Sequence, residues 1–138
     1  MKEAGFTTLA LTRAPLGLHW AFFRDRVTIL SYNGIVRSGL PVRDWCFLDE
    51  EAFRSQMTYV KRHFDVIPLS QTVDRLKAGR VRRPTVAITF DYGFRNVYEY
   101  AYPILVDANL PATVFIAPTM VGTSDPIWFC RLHRALTA

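Results

Sequence analysis

Residues 82–96 read RRPTVAITFDYGFRN. Val86, Ala87, Ile88 and Phe90 form an apolar run that ends on a lone carboxylate, Asp91, followed at once by Tyr92 and Gly93. A short, β-branched, apolar run predicts a buried strand over TVAITF. In α/β barrels and open parallel sheets, sites form at the C-terminal ends of the strands. Gly93 lets the chain turn sharply there. Two readings stand side by side at this point: Asp91 is a site residue, or it caps the helix that follows.

Working outward, the flanking segments alternate in type. Upstream, VTILSYNG (27–34) is β-branched and closed by Asn-Gly, which predicts a buried strand running into a turn. Residues 49–63 carry helix marks, with Asp49 as cap and two acids in the first turn. Phe53, Met57, Val60 and Phe64 recur at helical spacing and predict one buried stripe. DVIPL reads as a short strand stopped by Pro68, and SQTVDRLKAG as a helix capped by Ser70 and ended by Gly79. Downstream, residues 94–109 predict a helix with Val97, Ala101, Ile104, Leu105 and Ala108 inward and a bend at Pro103. ATVFIAP predicts a fourth strand, ended by Pro118. Strand–helix alternation with continuous apolar strands is the grammar of a parallel α/β sheet.

Composition bounds the function. The chain has 138 residues, half of them hydrophobic, which suffices for one domain with a core. Its formal net charge of +5 fits an ordinary basic protein as well as a polyanion binder. The densest basic stretch, Lys77, Arg80, Arg82 and Arg83, reads as a solvated loop around Gly79 and Pro84. It has no interleaved stacking aromatics, so nucleic acid is not the expected partner. Cys46 and Cys130 are far apart and form neither a disulfide framework nor a zinc pattern. Residues 1–26 read as a leader with an amphipathic helix, expected to pack on the domain or, on a sharper reading, to touch a membrane surface. No run has the length of a transmembrane span, and no signal peptide is evident, so the expected location is cytoplasmic.

The stretch AITFDYGFRNVYEYAYPILVDANLPATVFIAP resembles the polysaccharide deacetylase family, which shares the NodB homology domain. Thr89, Phe90, Asp91 and Gly93 match that family's T-F-D-D-G motif. Pro103, Ile104 and Leu105 match its proline-bearing helix, and Pro111, Ala112, Thr113 and Phe115 its P-A-T-x-F strand. VTILSYN resembles the family's I-L-x-Y-H strand, and DPIWFCRL its tryptophan-bearing segment. The resemblance implies the N-terminal portion of a deformed, TIM-like (β/α) barrel over residues 27–138, incomplete at its C-terminal end. It implies metal-dependent hydrolysis of the acetamide bonds of N-acetylated polysaccharides or oligosaccharides, with zinc or a similar divalent ion. A bound metal activates water, and a carboxylate takes its proton. By position, Asp91 inherits that general-base role.

Three departures bear on the chemistry. Tyr92 stands where the family has a metal-ligating aspartate, and a phenol with a pKa of about 10 must lose its proton to bind strongly. Asn33 stands where relatives often carry His. The histidines, His19, His63 and His133, include no H-x-x-x-H pair. No residue of the chain is therefore expected to form the family's metal site. Three readings follow: a fragment or degenerate deacetylase, a non-catalytic remnant that binds glycan or a partner chain, and, least favoured, a basic nucleic-acid-binding domain.

Overall fold

The computed structural model describes residues 26–37, 46–79, 84–123 and 125–137. The leader with His19, the loop carrying Gly39 and Pro41, and Arg80, Arg82 and Arg83 of the basic stretch lie outside these residues. The elements run β1 (Val27–Tyr32), β2 (Gly34–Val36), β3 (Phe47–Asp49), α1 (Glu50–His63), β4 (Asp65–Val66), α2 (Thr72–Lys77), β5 (Thr85–Phe90), α3 (Tyr102–Ala108), β6 (Thr113–Val114) and α4 (Trp128–Thr137).

TVAITF forms the centre of the main sheet, as its apolar run predicts. All six residues of β5 are buried. Every pairing is parallel: β1 runs along one edge of β5 from Val27↔Thr85 to Tyr32↔Phe90. On the other edge β4 meets the start of β5 and β6 meets its end, with Thr89↔Thr113 and Phe90↔Val114. Parallel strands with helical crossovers bury both faces, and this parallel α/β arrangement is the one the alternation predicts.

The period of two sorts the strand residues onto two faces. Val86, Ile88 and Phe90 join Phe53, Met57 and Val60 of α1 and Ile104 and Leu105 of α3 in one core cluster. Thr85, Ala87, Thr89 and then Asp91 have the opposite parity. Helix α1 is placed by its cap: Asp49 accepts hydrogen bonds from the backbone N–H groups of Glu51 (2.9 Å) and Ala52 (3.4 Å). Acids in its first turn and Lys61, Arg62 and His63 in its last complement the helix dipole.

Several expectations need correction. Strand β1 is not fully buried: Ile29 and Ser31 are exposed, because among the described residues it pairs along one edge. Asn33-Gly34 does not close a turn. Gly34 opens β2, which pairs in parallel with β3 in a small second sheet. These strands are three residues long, too short to show a period. Ser70 does not cap α2. Pro68 starts a 3₁₀ turn over Leu69–Gln71, in which Gln71 N–H donates to Pro68 O (3.0 Å), and Gln71 caps α2 without a side-chain bond. The fourth strand is shorter than ATVFIAP, because β5 ends at Phe90 and gives β6 partners for two residues only.

The proline-bearing helix resolves into two parts. Val97–Ala101 is a π-turn and α3 begins at Tyr102, with Pro103 in its first turn. Pro103 has no N–H to donate, and the wider turn lets Tyr102 N–H reach back to Val97 O. The inward stripe holds: Val97, Ala101, Ile104 and Leu105 are buried and Ala108 partly so. Asn109, in a left-handed conformation (φ 52°), ends α3.

Candidate active site

Asp91 follows the last residue of β5, at the C-terminal edge of the sheet. Its backbone N–H donates to Tyr32 O at 2.8 Å, which extends the β1–β5 ladder by one bond. Its parity puts its carboxylate on the same face as Ser31, and the Ser31 hydroxyl donates to Asp91 Oδ2 at 2.8 Å. Among the described residues the carboxylate makes no other hydrogen bond. Asp91 is half-buried and lines a cavity of about 470 Å³ together with Tyr92, Phe115, Ile116 and Ala117. Asp91 is thus a strand-end carboxylate oriented by a neighbouring strand, and its side chain makes no capping bond to the following helix.

Tyr92 and Gly93 both take positive φ, 71° and 67°. Glycine adopts this conformation freely, and a Cβ at Gly93 would lie 3.3 Å from Ile116 Cγ1. Tyrosine does not, and the left-handed region costs an ordinary residue about 1–2 kcal/mol. The ring of Tyr92 packs on Phe129 of α4 (centroids 5.1 Å apart) and on Phe94 (5.9 Å). Trp128 stands edge-on to Phe129 at 5.8 Å and is 71% exposed. Helix α4, formed by the tryptophan-bearing segment, therefore rests on Tyr92. Sequence reasoning gave this contact no signal, because Tyr92 and Phe129 are distant in the chain.

Among the described residues, none of the remaining candidates hydrogen-bonds the Asp91 carboxylate. Asn33 links β1 to β2 and is half-buried. His63 ends α1, its ring 4.5 Å from that of Tyr59. It precedes β4, whose first residue is in register with Thr85, so it lies at the opposite edge of the sheet. Six strand residues, at about 3.3 Å each, separate the two edges by about 20 Å. His133 lies in α4. Among the described residues, no group of three or more His, Cys, Asp or Glu side chains is arranged to hold a metal ion. Near Asp91 the donor set is one carboxylate and one phenol whose ring packs on two phenylalanines. These residues do not fit a divalent cation, which takes several oxygen or nitrogen ligands at once.

The strand ends, the T-F-D-x-G turn and the helix that follows define a class. Residues 78–129 match the family described as Polysaccharide deacetylase. The chain is similar to a poly-β-1,6-N-acetyl-D-glucosamine N-deacetylase of Staphylococcus epidermidis, at 22% identity over 113 residues, which is 81% of this chain and 39% of that protein. The enzyme of the same description from Staphylococcus aureus is 34% identical over 79 residues, covering 56% of this chain and 27% of its own length. Among solved structures, IcaB from Ammonifex degensii superimposes with a TM-score of 0.59 at 25% identity, covering 71% of this chain and 41% of that one. Streptococcus pyogenes deacetylase PplD gives 0.65 at 18% identity, covering 81% and 52%. The chain therefore spans less than half the length of the curated relatives it matches. The fold is the N-terminal part of a NodB-type deacetylase barrel, and over the matched residues the chain is similar to polysaccharide deacetylases. The family is metal-dependent, and among the described residues no ligand cluster for a metal stands at Asp91.

Proposed function

We propose that the chain binds N-acetylated polysaccharide, with Asp91 in the general-base position of a NodB-type site, and that with Tyr92 in place it recognises the glycan rather than hydrolysing it. The observation that supports this reading is the pairing at the end of β5. An oriented carboxylate, held by Ser31, is followed by an aromatic ring turned toward α4 instead of a second carboxylate. A carboxylate alone can take a proton from water, but polarising an acetamide carbonyl calls for a Lewis acid or a set of aligned donors. Zinc or a similar ion would supply that chemistry only with ligands contributed from outside the described residues. The relatives named above are described as N-deacetylases of poly-β-1,6-N-acetylglucosamine, which makes that polymer the first glycan to try.

The test pairs binding with turnover. Purified protein is offered poly-β-1,6-N-acetylglucosamine on beads, and acetate release is followed with and without added zinc. Retention of the protein with acetate at the background rate is expected. Zinc-dependent acetate release by the unaltered chain would overturn the non-hydrolytic part. Failure to retain the protein on the polymer would overturn the glycan reading.

A further inference from the structure

The open cavity beside Asp91 is lined unlike a metal centre. Its volume of about 470 Å³ falls within the roughly 300–1,000 Å³ range of small-molecule sites. Asp91 brings a carboxylate with one oxygen committed to Ser31 and the other unused. Tyr92 and Phe115 bring aromatic rings, 38% and 49% exposed, and Ile116 and Ala117 complete the lining. The strained backbone at Tyr92 puts an aromatic residue where the family motif has a carboxylate. Such strain persists only where surrounding structure over-determines it, and here Phe94 and Phe129 hold the ring from the side.

Sugar rings are amphipathic, with C–H groups on their faces and hydroxyl or amide donors at their rims. We infer that the cavity is a metal-independent site for one pyranose unit of a glycan. Asp91 accepts from a rim hydroxyl or amide N–H, and the rings of Tyr92 and Phe115 cover the C–H face. Replacing the ligand aspartate by tyrosine exchanges a cation for a stacking surface, and the carboxylate becomes a recognition group. This inference rests on the glycan reading above and adds that the recognition needs no metal and runs through Tyr92.

Calorimetric titration with a β-1,6-linked N-acetylglucosamine pentamer tests it, in EDTA and then with added zinc. Four proteins are compared: the unaltered chain, Tyr92→Phe, Tyr92→Asn, and Tyr98→Ala as a control at an exposed aromatic away from the cavity. Asn tolerates the left-handed backbone, so Tyr92→Asn removes the ring without adding strain, and melting temperatures verify that each variant folds. Binding is expected to persist in EDTA and to be unchanged by zinc. Tyr92→Asn should weaken it about tenfold or more, as for an anchoring aromatic. Tyr98→Ala should leave it intact, and Tyr92→Phe, which keeps the ring, should recover most of the affinity that Tyr92→Asn loses. Binding that requires zinc, or an undiminished affinity in Tyr92→Asn, would overturn the inference while leaving the glycan reading standing. No binding by the unaltered chain in either condition would overturn both.

Discussion

Asp91 and Tyr92 are neighbours in the chain but answer to different surroundings. The carboxylate obeys the strand's parity and meets Ser31 across the β1–β5 ladder. The tyrosine has left the strand, and its ring meets α4. Zinc, cobalt or nickel added to the apo-protein is therefore expected to bind no tighter than about micromolar, because the described residues bring no cluster of ligands together there. A stoichiometric nanomolar site by calorimetry would refute this. A chimera that supplies the family's histidine pair from a relative's C-terminal half probes both residues. As built it should be weak. Tyr92→Asp should restore metal binding and release of acetate from an N-acetylglucosamine oligomer. Asp91→Asn in that repaired protein should keep the metal but cut turnover by roughly 10²–10⁴-fold, the usual loss for a general base. Metal content and acetate release decide between these outcomes, and intact turnover in Asp91→Asn would remove the base assignment.

At the scale of elements, α1 shows how a local signal becomes a placed helix. Asp49 ends β3 and caps α1 in one residue, with β-region backbone (φ −64°, ψ 142°) and two backbone N–H groups on Oδ1. The cap thus fixes the angle at which the helix leaves the small sheet and brings Phe53, Met57 and Val60 onto the core. Asp49→Ala is expected to cost about 1 kcal/mol, a fall of roughly 3–4 °C in Tm for a domain of this size. Thermal unfolding followed by circular dichroism would measure it. An unchanged Tm would mean that the cap contributes nothing. Arg75 of α2 reaches Asp65 at the start of β4 at 2.6 Å, but both side chains are substantially solvated, and such pairs contribute about 0–1 kcal/mol.

Across the whole molecule, two features set behaviour in solution. Val114, Phe115 and Ile116 are 44–63% exposed around the end of β6, and Tyr102 and Val106 of α3 lie nearby along an apolar groove of about 1130 Å³. A sheet edge with apolar neighbours is a template for association. Light scattering is expected to show concentration-dependent self-association; a monodisperse monomer at high concentration would contradict this. The second feature is Tyr32, whose hydroxyl donates to Gln56 Oε1 at 2.8 Å. Burial raises its pKa above the ordinary value of 10.0. The native state therefore holds this proton more tightly than the unfolded state, and its contribution is present below pH 10 and lost as pH rises through the raised native value. Tyr32→Phe should flatten the alkaline decline in stability while losing about 0.5–1.5 kcal/mol from the missing hydrogen bond at neutral pH. Denaturant melts from pH 8 upward, run on both proteins, would show an equal slope if Tyr32 has no part in it.

The amino-acid order sufficed for whatever depends on neighbours within a few residues. The apolar run of β5 and the Asp49 cap with its 3.6-residue stripe were legible, because their causes lie in one stretch of chain. The turn at Gly93 and the spelling T-F-D-x-G, which places Asp91 at a strand end, were legible for the same reason. What required the tertiary structure depends on partners far away in sequence. Ser31 orients Asp91 from 60 residues away, and the length of β6 is set by where β5 stops. The pairing of β2 with β3 joins two three-residue strands that carry no periodic signal. Pro103 announced a disturbance, but its form as a π-turn, closed by Tyr102 N–H on Val97 O, was visible only in the fold. The sequence marked Tyr92 as an expected misfit to a metal site. Its packing on Phe94 and Phe129, and the open cavity it lines with Phe115, came only from the fold, because aromatic contacts and cavities belong to the space between elements.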